Sequence, residues 1–328
     1  MKTRALGDTG LSLSAFSFGA AGIGNLYREV SREDAIATLQ TAWDAGIRYF
    51  DTAPHYGHGL SERRLGDFLR DKAPGDYVLS TKVGRLLAPV PEKDVPDQGF
   101  VRPLSFRQVH DYSGEGIVRS HADSLQRLGL NAVDILFVHD LEAPTLGADY
   151  DRHFQTFLRS GAKALEGLKA SGAVKAVGLG VNDVDACLRL LDHFALDVIL
   201  LAGRYTLLDR SAEPELLRRC RETGTKLVIG GVFNSGILAT GAREGATFDY
   251  APASEAILDK VRGMEAETEA QGVPLAAAAL HFPLFRDEVA SVLIGTANPR
   301  SLRRNIELFD REIPEGLWPK LDRLTLRG

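Results

Sequence analysis

Short apolar runs alternate with longer amphipathic ones from residue 13 almost to the end of the chain, and this rhythm restricts the fold more than any single motif. The short runs are 13–19 (LSAFSFG), 48–52 (RYFDT), 77–83 (YVLSTKV), 133–139 (VDILFVH), 174–180 (VKAVGLG), 197–202 (DVILLA), 226–232 (KLVIGGV) and 289–295 (VASVLIG). They are brief, rich in β-branched residues and bounded by Gly, Asp or Asn, the pattern of parallel strands buried on both faces. Between them the apolar spacing becomes helical, over 31–46, 61–71, 114–128, 155–170, 184–194, 213–223, 254–271 and 298–309. The first of these starts with a capping box at Ser31 and Asp34, carries a stripe through Ala35, Ile36, Leu39, Ala42 and Trp43, and stops at Gly46. Ser61 is expected to cap the second. Eight strands, each followed by a helix, is the count for a closed (β/α)8 TIM-type barrel, an α/β fold. A doubly wound open sheet competes, but no linker or composition break halves the chain, so one barrel domain over residues 1–328 is expected.

Two stretches depart from the rhythm. Residues 84–113 read as a long loop with Pro89, Pro91, Pro96 and Pro103 and the aromatics Phe100, Phe106 and Tyr112, the length of a lid or binding loop. Residues 233–253 are polar and glycine-containing. Both follow strand ends and belong at the C-terminal mouth, where barrels of this type keep their sites.

Composition excludes several classes. The chain of 328 residues is 44% hydrophobic with net charge −5, and it has no basic cluster of the kind that binds nucleic acid. The apolar stretch PLAAAALHFPLF (274–285) is too short to span a bilayer, and MKTRALGDTG is not a signal peptide. Cys187 and Cys220 alone support neither a disulfide framework nor a cysteine zinc site. A cytoplasmic protein acting on a small molecule, with no nucleic-acid or membrane partner, as a monomer or small homo-oligomer, is expected.

On a barrel, the strand ends bring unlike polar groups to one mouth. Asp51 ends the second strand, Lys82 the third and His139 the fourth, Asn182 follows the fifth, and Tyr56 lies in the loop after the second. A tyrosine with a pKa of about 10 shuttles protons poorly at neutral pH. A nearby Lys82 is expected to lower that value, with Asp51 pairing to the lysine and His139 bonding the substrate oxygen. Taken singly, each residue is equally a cap, a turn residue or an ordinary ion pair. The quartet on successive strand ends favours a site. His55 and His58 in RYFDTAPHYGHGLSERRLG, with His139 and Asp140, suggest a metal-dependent hydrolase as a weaker reading, because HxxH in a glycine loop does not close a zinc sphere. No metal ligand is assigned.

The segments RYFDTAPHYGHGLSERRLG, LSTKVG and ILFVHD, in that order and spacing, resemble the motifs of the aldo-keto reductases, and the resemblance continues from ALGDTGLSLSAFSFGA through GLGVND to VLIGTANPRSLRRN. It implies Asp51, Tyr56, Lys82 and His139 as a catalytic tetrad with Tyr56 as acid/base, and NAD(P) lying across the barrel mouth. GLGVND carries Asp183 in place of a third glycine, so a Rossmann-type site is not expected. The resemblance assigns the nicotinamide amide to Asn182. It assigns the pyrophosphate to FNSGIL, with Phe233, Asn234, Ser235, Gly236 and Leu238. The adenosine phosphate falls to Gly295, Thr296, Ala297, Arg304 and Asn305, where free N–H groups of a helix N-terminus suit an anion.

Gly295 and Ser301 stand where NADPH-preferring relatives carry Lys and Arg, and Gly230 where a tyrosine usually stacks on nicotinamide. The missing cations favour NAD over NADP, although Arg300, Arg303 and Arg304 are near. LLAGRYTLLDR, GGVFNSGIL and HDYSGEGIVRS are most similar to D-threo-aldose (L-fucose) 1-dehydrogenases and pyridoxal 4-dehydrogenases. Oxidation of an aldose to its lactone is the leading expectation, with pyridoxal oxidation, carbonyl reduction and a slow nucleotide-binding regulatory subunit as alternatives. Arg85, Arg102 and His110 are candidates for binding sugar hydroxyls.

Overall fold

The computed structural model describes residues 1–327. Eight parallel strands close into a barrel in sequence order: Phe16–Gly19 (β1), Tyr49–Asp51 (β2), Val78–Val83 (β3), Ile135–His139 (β4), Ala176–Val181 (β5), Val198–Ala202 (β6), Lys226–Gly230 (β7) and Val289–Gly295 (β8). β8 pairs with β1 through Val292 and Phe16 to complete the ring. The surrounding helices include Arg32–Asp44 (α1), Leu60–Leu69 (α2), Gly114–Leu128 (α3), Ala162–Ala170 (α4), Val184–Leu191 (α5), Leu216–Thr223 (α6), Glu255–Glu269 (α7) and Pro299–Phe309 (α8). The open-sheet alternative is therefore excluded. None of the described helices is long and apolar enough to cross a membrane.

The period of two along each strand sorts side chains between two cores. Leu136 and Val138 of β4 face outward into the cluster between barrel and helices. Ile135 and Phe137 face inward with Tyr49, Val78, Val198, Leu200 and Val228. Leu6, Leu11 and Leu13 from the hairpin Thr3–Ala5/Ser12–Ser14 join this inner cluster and plug the barrel at the end opposite the strands' C-termini. Further inward positions, one step on from Tyr49 in β2 and Phe137 in β4 and two steps on from Val78 in β3, bring Asp51, His139 and Lys82 to the open mouth.

Several local expectations are corrected. Residues 84–113 are not an irregular loop: Arg85–Pro89 and Phe106–His110 pair antiparallel as a hairpin. The segment expected as one helix over 155–170 is Tyr150–Thr156, a π turn at Phe157–Gly161 and then α4. The apolar stretch at 274–285 contains a separate buried helix, Leu275–His281. Ser61 does not cap α2: Gly59 holds that position with no side-chain bond, and Ser61 Oγ instead donates to Ala20 O at 2.8 Å. Ser31 does cap α1, accepting from Asp34 N at 3.0 Å.

The α2–α3 crossing depends on Gly66. A Cβ there would lie 1.8 Å from Leu128 O, a contact with backbone that cannot rotate away. Gly66→Ala is expected to destabilise the protein by about 1–3 kcal/mol through overpacking, measured by urea unfolding. An unchanged midpoint would show that the two helices are free to separate.

Candidate active site

Asp51 and Lys82, each 1% exposed, form an ion pair across β2 and β3, with Lys82 Nζ donating to Asp51 Oδ2 at 2.6 Å and to Thr52 O at 2.9 Å. Ser80, one inward step below Lys82, donates to the other Asp51 oxygen at 2.7 Å, and Tyr49 Oη lies 3.0 Å from Ser80 Oγ. The carboxylate is thus held on both oxygens, as a buried charge requires. The lysine stem runs past Gly180 on β5, where a Cβ would meet Lys82 Cε at an ordinary contact distance of 3.4 Å.

Tyr56 is held over this pair by a tightly folded loop. Gly57 adopts φ +63°, and a Cβ on it would meet Gly24 O at 2.3 Å, so two glycines let the backbones touch. Ser61 N bonds to Tyr56 O at 3.1 Å, and Ser61 Oγ bridges Ala20 O and Thr52 Oγ1. The Lys82 ammonium lies 4.7 Å from the centre of the Tyr56 ring. The ring of His139 stands edge-on to it at 6.0 Å, and His55 and Phe100 complete the aromatic surround.

The electrostatics follow from crowding. Burial works against the Lys82 ammonium, but Asp51 and the Tyr56 hydroxyl outweigh it and hold its pKa above the ordinary lysine value. Burial raises the Asp51 carboxyl, with Lys82 and Ser80 opposing the rise. For Tyr56 the expected direction is reversed. Loss of water pushes its pKa up to about 12, and Lys82 only moderates the rise. Burial, then the charges of Arg85 and Lys82, keep His139 well below its ordinary value, so it is a neutral imidazole at neutral pH. His55, likewise buried beside Arg85, is lowered to about 3. A neutral phenol, a neutral imidazole and a buried cation at one mouth can move one proton to or from a substrate oxygen while balancing the charge that develops.

His55, His58, His139 and Asp140 do not form a metal-binding group. His55 Nδ1 accepts from Arg85, His58 Nε2 bonds Gln98 Oε1 at 3.0 Å, and no cluster of three or more ligating side chains occurs among the described residues. Of the loop candidates, Arg85 is buried beside His139, Arg102 is exposed and pairs with Glu29 at 2.9 Å, and the His110 ring stacks on Tyr112.

The pattern of the Aldo/keto reductase family matches residues 15–325. The chain belongs to the aldo/keto reductase family. It is 45% identical to the pyridoxal 4-dehydrogenase of Microbacterium luteolum, covering 97% of this chain and 96% of that protein. It is 43% identical to the D-threo-aldose 1-dehydrogenase of a Pseudomonas species, covering 95% and 94%. The solved aldo-keto reductase of Bacillus halodurans in its holo form superposes with a TM-score of 0.78 at 22% identity, over 99% of this chain and 97% of that one, which speaks for the fold. This aldo/keto reductase is therefore an NAD(P)-dependent oxidoreductase acting on a small-molecule substrate.

The residues expected at the cofactor differ in how free they are. Asn182 fits: its backbone is held by Glu142 Oε2 at 2.8 Å and by Arg204 Nε at 2.8 Å, leaving its side-chain amide without a protein partner among the described residues. Asn234, Ser235 and Gly236 form a run of three left-handed residues beside Phe233 and Leu238. The Asn234 side chain is already spent, accepting from Thr206 Oγ1 and donating to Gly203 O, so it shapes this loop. Leu238 and Arg304 line one 440 Å³ cleft with Glu265 and Glu269. Gly295 and Thr296 are accessible, Ala297 is buried and Asn305 is half-buried. At the start of α8 the expectation is corrected, because Asn298 Oδ1 accepts from Arg300 N and Ser301 N and these N–H groups are not free. Sequence reasoning also missed Tyr49, Ser80, Glu142 and Gln108, and it raised Asp140 only as a metal ligand, not as the partner of Arg85. The first two were signalled by their inward parity below Asp51 and Lys82, and the others by nothing local.

Proposed function

We propose that this enzyme oxidises the anomeric hydroxyl of an aldose of the L-fucose, D-threo type to the lactone, with NAD as acceptor. The observation that supports it most is the buried Asp51–Lys82 pair beneath Tyr56 with neutral His139 at the ring edge. In this reading Tyr56 takes the hydroxyl proton, and Lys82 balances the charge left on the phenol oxygen. Asp51, fixed by Ser80, keeps the lysine in place, and His139 donates a hydrogen bond to the substrate oxygen. Asn182 would hold the carboxamide of the nicotinamide, which when bound supplies the hydride acceptor.

An aldose is favoured over a flat aromatic substrate by the polar wall beside His139, built from Arg85, Asp140, His55 and Gln108. NAD is favoured because Gly295 and Ser301 offer no cation, and Glu265 and Glu269 put carboxylates beside Arg304 in the cleft that would take the adenosine end. Carboxylates suit ribose hydroxyls and repel a 2′-phosphate. Initial rates with L-fucose, other aldoses, pyridoxal and simple aldehydes, each with NAD and NADP, test all of this. The expected result is the highest kcat/KM with L-fucose and NAD. Faster pyridoxal oxidation would move the assignment to the activity named for the Microbacterium relative, and faster NADP reduction would reverse the cofactor preference.

The same reading takes residues 1–328 as one barrel domain, working in the cytoplasm as a monomer or small homo-oligomer. Cys187 and Cys220, both buried free thiols, agree with a reducing compartment. Cell fractionation and size-exclusion chromatography check these points.

A further inference from the structure

Outside the quartet, the mouth holds a second buried ion pair that the mechanism above does not use. β3 ends at Val83, and Gly84 turns the chain at φ +97°, where a Cβ would lie 2.4 Å from the Tyr112 ring. Arg85 then opens the hairpin, its side chain 7% exposed. Arg85 pairs with Asp140 through Nη2 and Oδ2, and it donates to Gln108 Oε1 at 2.7 Å and to His55 Nδ1 at 3.3 Å. Asp140 directly follows His139 and has φ +48°, a left-handed conformation that costs free energy in a residue with a side chain. Tyr112 Oη donates to His139 O at 2.7 Å and approaches Asp140 O at 3.3 Å, so one tyrosine braces both the strand end and the turn at Gly84.

The atom shared by two partners is Asp140 Oδ2. It is bonded to Arg85, and it also lies 3.5 Å from His139 Nε2, closer than any neutral neighbour need be but beyond a hydrogen bond. A small rotation of the carboxylate would close that gap. We propose that Arg85 is a positioning residue for His139: by holding the Asp140 carboxylate, it stops that carboxylate from capturing His139 Nε2–H and leaves the group for the substrate oxygen. The inference rests on the role given to His139 under Proposed function.

The groups facing His139 are His55 and Tyr56 from the loop after β2, Lys82 with Asp51 on β3 and β2, Arg85 and His110 from the hairpin, and Asp140 just beyond the end of its own strand. Lys82 is already paired with Asp51. Removing Arg85 therefore leaves Asp140 as the unbalanced charge beside the imidazole. The carboxylate then favours imidazolium, and the His139 pKa rises from its depressed value.

The test compares Arg85→Met, which keeps the apolar stem, with Arg85→Lys and the double variant Arg85→Met/Asp140→Asn. Two readouts are taken: the titration of His139 by imidazole NMR in the free protein, and kcat against pH with L-fucose and NAD. In Arg85→Met the His139 signals are expected to titrate at higher pH than in the wild type, with kcat falling more steeply toward low pH than the wild type's own slope. Arg85→Lys keeps much of the original profile, and the double variant restores a neutral His139 and the wild-type slope. A His139 titration that does not move in Arg85→Met overturns the proposal, as does a double variant that is not rescued, because the loss is then merely structural. The NMR titration needs no substrate, so it decides the inference even if L-fucose is not turned over. His139→Gln with wild-type turnover would sink the role of His139 and leave the carboxylate competition to be read from NMR.

Discussion

Tyr56→Phe is expected to lower kcat for aldose oxidation by about 10²–10⁴-fold, the range lost when a positioned acid/base is removed, while leaving NAD affinity and unfolding stability close to wild type. The ring makes its contacts through carbon: it faces His139 edge-on, lies 6.4 Å from Phe100 and carries the Lys82 ammonium 4.7 Å from its centre. Phenylalanine keeps all of these, and only the hydroxyl is lost. The pH profile separates chemistry from packing. With the Tyr56 pKa pushed up to about 12, the phenolate is a minor species throughout the ordinary range. Oxidation by the wild-type enzyme is therefore expected to speed up about tenfold per pH unit from pH 7 to 10, wherever proton removal limits the rate. Reduction, which needs the phenol, is expected to stay level over that range. Tyr56→Phe should show no such rise. A variant with wild-type turnover, or with the same slope, would remove Tyr56 from the role proposed for it.

How much of this could be read from the chain alone divides along a physical line. The eight strands were legible because each is short, β-branched and buried on both faces, and the α3 bounds match because Ser113 caps and Gly129 stops the helix. Asp51, Lys82 and His139 were legible through strand parity, since a polar residue at an inward position of an apolar strand end can only face the mouth. The direction of the Tyr56 shift was not, because it depends on how much water the folded loop excludes, and the neighbouring Lys82 pointed the other way. Ser61 reads as a helix cap by position, yet the loop offers it Ala20 O and Thr52 Oγ1 instead. The hairpin after β3 was hidden by its prolines, and with it the Arg85–Asp140 pair. Its two partners lie 55 positions apart and meet through two left-handed residues that no local pattern announces.

Lys82→Met is expected to damage both stability and rate, in contrast to Tyr56→Phe. The methionine fills the lysine stem's volume, but Asp51 is left buried without its cation, and breaking one side of a buried pair costs about 3–5 kcal/mol. That loss should depend on pH in a defined sense. Without Lys82 the Asp51 carboxyl keeps the rise caused by burial and loses its main opposing charge, so its folded pKa stands well above the unfolded value near 3.9. A protonated Asp51 is tolerated, an ionised one is not, and the deficit is small below about pH 4 and widens as pH rises toward the folded pKa. Chemical unfolding at pH 4 and pH 7 reads this directly. Asp51→Asn/Lys82→Met removes the stranded charge and is expected to recover most of the stability at pH 7, because Ser80 can still hydrogen-bond the amide. It should not recover turnover, since the cation that moderates the Tyr56 pKa and balances its phenolate is still missing. A double variant that regained both would mean that Lys82 serves Asp51 alone, and that the ion pair is a fixture of the barrel rather than part of the proton transfer.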